Sequence, residues 1–193
     1  MAKNKKMPTW AYVLIGILVF SILVFSWVAG SYNSLVTFDE GVNNAWGNVQ
    51  TAYQRRADLI PNLVSTVQAS AEFESNLLEK VTQFRAGIRS AETPNDMEIL
   101  GQEINSAINL AFEAYPNIKT TDAFLDLQVQ LEGTENRIKV ERDNYNKAVR
   151  LLNTKVRKFP SNTIASMFNF DQRDYFESDS GSENAPNVGE LFN

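Results

Sequence analysis

The sequence predicts an all-α protein: an N-terminal transmembrane helix followed by an elongated antiparallel four-helix bundle of long, coiled-coil-like helices. Three observations predict it. No charged residue occurs between Lys6 and Asp39, and residues 10–30 read WAYVLIGILVFSILVFSWVAG. From Leu35 onward, apolar residues recur in heptads, the period of helices packed along a seam. Glycine and proline are sparse through the middle of the chain, and no run alternates with a strand's period of two.

The first element is the span, placed at residues 9–31. A helix rising ~1.5 Å per residue carries this run across ~30 Å, the hydrocarbon thickness of a bilayer. Trp10 and Tyr12 mark one end and Trp27 and Tyr32 the other, where amphipathic rings favour the headgroup level. Residues 1–8 form a basic tip with Lys3, Lys5 and Lys6, whereas the first charges after the span are Asp39 and Glu40. The positive-inside bias therefore predicts a cytoplasmic N-terminus, a single pass through the cell membrane and an extracytoplasmic domain over residues 32–176. A cleaved signal peptide, with Val28-Ala29-Gly30 as its site, is the alternative and would give a secreted helical protein. The apolar run exceeds the ~7–15 residues of a signal core, which favours an uncleaved anchor.

Charge and composition exclude several functions. The formal charge is −5, but the three tip lysines leave 15 basic against 23 acidic residues elsewhere, a net of −8. Such a domain is a poor nucleic-acid ligand, because that affinity rests on neutralising phosphates. It is equally unsuited to broad adhesion on an anionic membrane face. There is no cysteine and no histidine. Disulfides, thiol nucleophiles, cysteine or histidine zinc sites and histidine-based acid–base schemes are excluded.

The first bundle helix runs from the span to about Ser70. One row holds Leu35, Val42, Val49, Arg56 and Leu63; a second holds Phe38, Ala45, Ala52, Leu59 and Thr66; Trp46, Tyr53, Ile60 and Val67 widen the stripe. Pro61 lies opposite that stripe, so a bend rather than a break is expected. A second helix covers residues 73–91 with Leu77, Val81, Phe84 and Ile88 inward, and the sequence leaves open whether it continues the first. Thr93-Pro94 opens a third, with threonine as cap and proline in the first turn. Met97, Leu100, Ile104, Ile108 and Ala111 face inward, and Tyr115-Pro116-Asn117 ends it. Thr121 caps a fourth helix that ends at Phe159-Pro160, with rows Phe124, Leu131, Ile138, Tyr145, Leu152 and Leu127, Thr134, Glu141, Ala148, Lys155. Two long and two short helices imply a bundle with a two-helix stalk near the membrane. An aromatic-rich piece follows, then an acidic, polar tail over residues 177–193 that ends in an apolar hook of Val188, Leu191 and Phe192.

Charges on the packing face are the unusual feature. Arg56 in the first helix and Glu141 in the fourth occupy seam positions, with Arg55, Glu135 and Arg142 beside them. This set predicts an ion-pair cluster that fixes helix register; the alternatives are an arginine that extends along the seam into water and a docking point for a partner or ligand. Phe159, Phe168, Phe170, Tyr175 and Phe176 either cap the open end of the bundle or contact a partner. Lys155, Arg157 and Lys158 complement the C-terminal dipole of the fourth helix, and would also reach lipid headgroups if that end returns to the membrane. No cofactor, metal or catalytic motif is evident: Glu-x-x-His is missing, and the Asp179–Glu183 run lacks EF-hand spacing.

Particular residues carry a family resemblance. They are Tyr32-Asn33 with Leu35-Val36, Ala45-Trp46, and the block Y-Q-R-R-x-D-L-I-P-N-L-V at residues 53–64. Tyr115-Pro116, Leu127-Gln128, Thr134-Glu135, Arg137-Ile138, Arg142, Tyr145-Asn146, Val149 and Phe159-Pro160 continue it. Across residues 32–176 the chain resembles the LemA family of bacterial membrane-anchored helical proteins. The resemblance implies a single-span anchor and an elongated helical domain, and supplies no reaction. The reading is a non-enzymatic scaffold or adaptor that self-associates as a homo-oligomer at the lipid bilayer, with a membrane-protein partner also possible. The alternative is a sensor or regulatory subunit for a membrane peptidase or signalling protein.

Overall fold

The computed structural model describes residues 9–67, 71–114 and 122–177. Its elements are α1 (Thr9–Ala57), α2 (Ile60–Val67), α3 (Ala71–Ser90), α4 (Pro94–Ala114), α5 (Asp122–Arg157) and α6 (Ser161–Met167). All are helical, as the sequence predicts. The basic tip, the chain near Ser70, the Tyr115-Pro116-Asn117 stop, the Thr121 cap and the tail beyond Glu177 lie outside the described residues. Contacts divide the chain into two compact units: Met1–Gly41 with Arg150–Arg173, and Val42–Val149 with Asp174–Asn193.

The first unit carries the apolar part of α1. Large apolar side chains from Trp10 to Trp27 stand 42–73% exposed, and the helix is long and apolar enough to cross a membrane, with a mean hydropathy of 2.5 in its richest window. In water that much exposed apolar surface would be strongly unfavourable; in hydrocarbon it is not. Farther along α1, Leu35 is fully buried with Ile164 and Ala165 of α6, and Val28, Val156 and Phe170 pack around them.

Helix α6 is an element that the sequence reading left as an aromatic piece. It stops by a Schellman turn: Asn169 adopts φ 57, and the Phe170 N–H donates to the Ala165 carbonyl at 2.9 Å. Asparagine tolerates that left-handed backbone, and Phe170 returns its ring to the helix it has just left, as such caps favour. The Arg173 guanidinium then meets Asp39 at 3.1 Å. The Asn153 side chain clamps the Arg173 backbone, donating to its carbonyl and accepting from its N–H, both at 2.9 Å.

The second unit is the helical core proper. Val42, Val49, Tyr53 and Ala57 of α1 and Ile60 and Leu63 of α2 are buried, as are Leu77, Val81, Phe84 and Ile88 of α3. Met97, Ile104, Ile108 and Ala111 of α4 and Phe124, Leu127, Leu131, Ile138 and Tyr145 of α5 complete the core. These are the inward rows expected from the heptads. Thr93 caps α4 as expected, with an addition: its Oγ1 accepts from the Asp96 N–H at 3.2 Å, and the Asp96 carboxylate accepts from the Thr93 N–H at 3.0 Å. The Thr93 hydroxyl and N–H hold the Asp96 carboxyl below the usual carboxylate range.

The expected bend at Pro61 is instead an interruption at Asp58 and Leu59 between α1 and α2. Proline has no N–H to donate four residues back, and its ring crowds the carbonyl there. The chain answers with one tighter bond, Leu59 N–H to Arg56 O at 3.2 Å, then resumes with Leu63 N–H to Leu59 O at 3.0 Å. Pro61 thereby falls in the first turn of α2, where a missing donor costs least. Arg85 of α3 secures the interruption by contacting Asp58 Oδ1 at 2.7 Å.

Ile104, fully buried on α4, should cost about 2–5 kcal/mol when replaced by alanine. Val129 of α5 is 67% exposed, and Val129→Ala should change stability by less than about 0.5 kcal/mol. Chemical denaturation followed by circular dichroism measures both.

Candidate functional site

A polar cavity of about 210 Å³ lies within the second unit. Tyr53 and Arg56 of α1, Glu98, Gly101 and Asn105 of α4, and Glu135 and Arg142 of α5 are among its lining residues. Arg56 reaches it from a heptad core position with 12% of its side chain exposed, and pairs with Glu135, which is 56% exposed. Arg142 contacts Glu98 at 2.5 Å, donates to the Glu177 carbonyl at 2.9 Å and lies 4.9 Å from the centre of the Phe176 ring.

The register between α1 and α5 in this unit follows from two contacts. Trp46 meets Tyr145 with ring centres 5.4 Å apart, and Arg56 meets Glu135. Ten residues forward on α1 correspond to ten residues back on α5, so the helices run antiparallel with no slip between the two contacts.

Of the five residues expected in the charged cluster, three assemble around this cavity: Arg56, Glu135 and Arg142. Glu141 is buried, but its partners lie on its own helix, Arg137 at 2.7 Å and Asn144 at 3.3 Å. Heptad rows gave its face; the register places Glu135 of the same expected cluster opposite Arg56. Arg55 is exposed and stands outside the cluster. Glu98, Tyr53, Gly101 and Asn105 were missed; only long-range packing brings α4 to these positions.

Gly101 shows how close that packing is. A Cβ there would lie 2.7 Å from the Tyr53 ring. Burial pushes the Tyr53 phenol up to about 12, with Glu98 and Glu135 adding to the rise against the opposing charge of Arg142 and Arg56. Two buried atoms on the cavity residues, Arg56 Nε and Asn105 Oδ1, have no hydrogen-bond partner. One is a donor and the other an acceptor, so water molecules would satisfy both. No group of three or more His, Cys, Asp or Glu side chains suited to a metal ion occurs among the described residues.

The aromatic set divides. Phe176, expected at either a cap or a partner contact, is 3% exposed: it stacks on Trp46 at 5.9 Å and meets Tyr145 edge-on at 5.3 Å. A double clamp holds it, since the Asn146 side chain donates to its carbonyl at 3.0 Å and accepts from its N–H at 2.9 Å. Phe176 is therefore core, not contact surface. In the first unit Phe170 is half-buried, and Phe159 and Phe168 remain 80% and 46% exposed; Tyr175, in the second unit, is 45% exposed. Among the anchor rings, Trp10, Tyr12 and Trp27 are exposed, whereas Tyr32 packs on Phe168 at 4.9 Å and Phe170 at 5.8 Å.

Comparison with known proteins adds a family. The LemA family model matches residues 45–189. Protein LemA of Metamycoplasma hominis is 26% identical over 170 residues, covering 84% of this chain and 77% of that protein. Magnetosome proteins MamQ 2 and MamQ 1 of Paramagnetospirillum magneticum are each 24% identical, covering 88% of this chain and 73% of theirs.

Two outcomes test this geometry. A phenol whose folded pKa exceeds its unfolded value stabilises the fold fully below the unfolded value of 10.0 and loses that contribution as pH rises toward about 12. Stability should therefore fall between those limits more steeply in the native chain than in Tyr53→Phe, measured by denaturation at stepped pH. A double-mutant cycle on Glu98→Gln and Arg142→Gln should give a coupling of about 0.5–3 kcal/mol. The more exposed Asp58–Arg85 pair should give less than about 1 kcal/mol in the same cycle.

Proposed function

Since the chain belongs to the LemA family, we propose that it is a single-span protein of the cell membrane, N-terminus cytoplasmic, whose extracytoplasmic helices serve as a self-associating scaffold and catalyse no reaction. The observation that carries this reading is α1 itself. One uninterrupted helix, Thr9–Ala57, supplies the exposed apolar run at one end and the buried core residues Val42, Val49 and Tyr53 at the other. A helix shared in this way ties the fold to the bilayer without a linker.

Two features support the scaffold role. Phe159, Phe168 and Tyr175 offer exposed rings for a second copy of the chain. The Arg56–Glu135 and Arg142–Glu98 pairs act in this reading as register determinants: partly buried ion pairs add little stability but penalise misaligned helices. The matched family and its named relatives specify no reaction.

The native chain contains no cysteine, so a single one introduced at exposed Asp143 reports topology. Asp143→Cys should react with a membrane-impermeant maleimide on intact cells; protection until lysis would reverse the orientation. The full chain extracted in mild detergent should run as a homo-oligomer on native mass measurement. One copy bound to a different protein in fixed ratio would replace self-association with an adaptor role.

A further inference from the structure

A second cavity, of about 420 Å³, lies in the first unit where the charge-free stretch of α1 gives way to the fold. Trp27, Leu151 and Phe159 supply apolar lining, Ser34 a hydroxyl, and Lys155 and Lys158 the charge. No carboxylate lines it, and neither lysine forms an ion pair among the described residues. Phe159 is 80% exposed and Leu151 55%, an expensive arrangement for a cleft facing water alone.

Lys155 and Lys158 stand at the end of α5, where they complement the helix dipole, but the carbonyls there also have other donors. Ser161 Oγ lies 2.7 Å from the Lys155 carbonyl and 2.8 Å from the Lys158 carbonyl. The Asn162 N–H also donates to the Lys158 carbonyl at 2.9 Å. Together with the Lys158 N–H, which donates to the Thr154 carbonyl at 3.0 Å, these contacts serve part of the helix end without either lysine side chain.

We propose that this cleft binds an anionic phospholipid of the membrane that α1 spans, Lys155 and Lys158 meeting the headgroup phosphate and Trp27, Leu151 and Phe159 meeting the upper acyl chain. The proposal rests on the anchor reading given above. Position and chemistry select this occupant: Trp27 marks the level where an amphipathic ring meets headgroups, and a free phosphate would leave the apolar lining unused. A net charge of −8 beyond the tip opposes general adhesion to anionic lipid, so any anionic lipid held here is held by a local site. A basic residue close to an anionic surface contributes about fivefold in affinity.

The test uses the full chain reconstituted with equal phosphatidylglycerol and phosphatidylcholine, extracted in mild detergent, with retained lipid counted by native mass spectrometry. Alkaline washing of the membranes beforehand checks the anchor independently. The native chain should resist the wash and retain phosphatidylglycerol over phosphatidylcholine by about fivefold or more. Lys155→Gln/Lys158→Gln should resist the wash, keep its helical circular dichroism and retain the two lipids equally. Equal retention by the native chain, or an undiminished preference in the double variant, overturns the site while leaving the anchor intact. Displacement of the lipid by glycerol phosphate at matching concentration overturns the lipid as occupant in favour of a free phosphate ester. A chain that washes off the membrane overturns the anchor reading instead.

Discussion

A guanidinium at a heptad core position constrains everything packed around it. Arg56 sits in the row that otherwise holds Leu35, Val42, Val49 and Leu63, with only 12% of its side chain exposed. An unpaired charge in such a place costs several kcal/mol, so an acidic partner must arrive from a neighbouring helix. Glu135 arrives from α5, and its own exposure keeps one side of the pair in contact with solvent. The helices cannot close over this pair as they close over leucine, and the space left is the polar cavity. Tyr53 and Gly101 then settle how near α4 comes: the ring fills the place of a missing Cβ. Arg142 and Glu98 add a second ionic tie to that of α1 with α5, this one between α4 and α5.

The segment after α6 obeys a different constraint. Extended chain lying on a helix has no ladder to satisfy its N–H and C=O groups, so side chains must do so. Asparagine suits the task because its amide offers a donor and an acceptor side by side. Asn153 serves Arg173 in the first unit, and Asn146 serves Phe176 in the second. Each clamp satisfies both backbone groups of one residue, which leaves the adjoining side chains free for other contacts. Phe176 uses that freedom to enter the aromatic group with Trp46 and Tyr145.

What the sequence made legible was whatever depends on periodicity and local chemistry. The apolar run, the inward rows of α3, α4 and α5, and the Thr93 cap all follow from side chains spaced along one element. Pro61 was read as a bend within one helix, but a heptad wheel cannot weigh a bend against a two-residue interruption; that depends on how the backbone redistributes its bonds around the proline. The heptads left the Arg56 partner open within its cluster for a related reason, since a wheel gives faces and not registers. A signal for the clamps was present and unread: Asn146 and Asn153 stand one heptad apart inside a long helix, each directly after an aromatic or leucine core residue. Asparagine is a poor helix former, and its repetition at such positions marks a local bonding task.

The lack of histidine and cysteine shapes how this protein can respond to its surroundings. No side-chain type present has its ordinary titration between about pH 5 and 8, where histidine would. The displaced groups move farther from neutrality: the Thr93 contacts draw Asp96 down, and burial sends Tyr53 up. The ion pairs of Arg56, Glu135, Glu98 and Arg142 have no imidazole beside them, and thiol chemistry has nothing to act on. Under the proposals made above, a change of state would come from what touches the exposed surfaces: lipid at Lys155 and Lys158, or another chain at Phe168 and Tyr175. Such contacts bias a fold only by differential binding to its states.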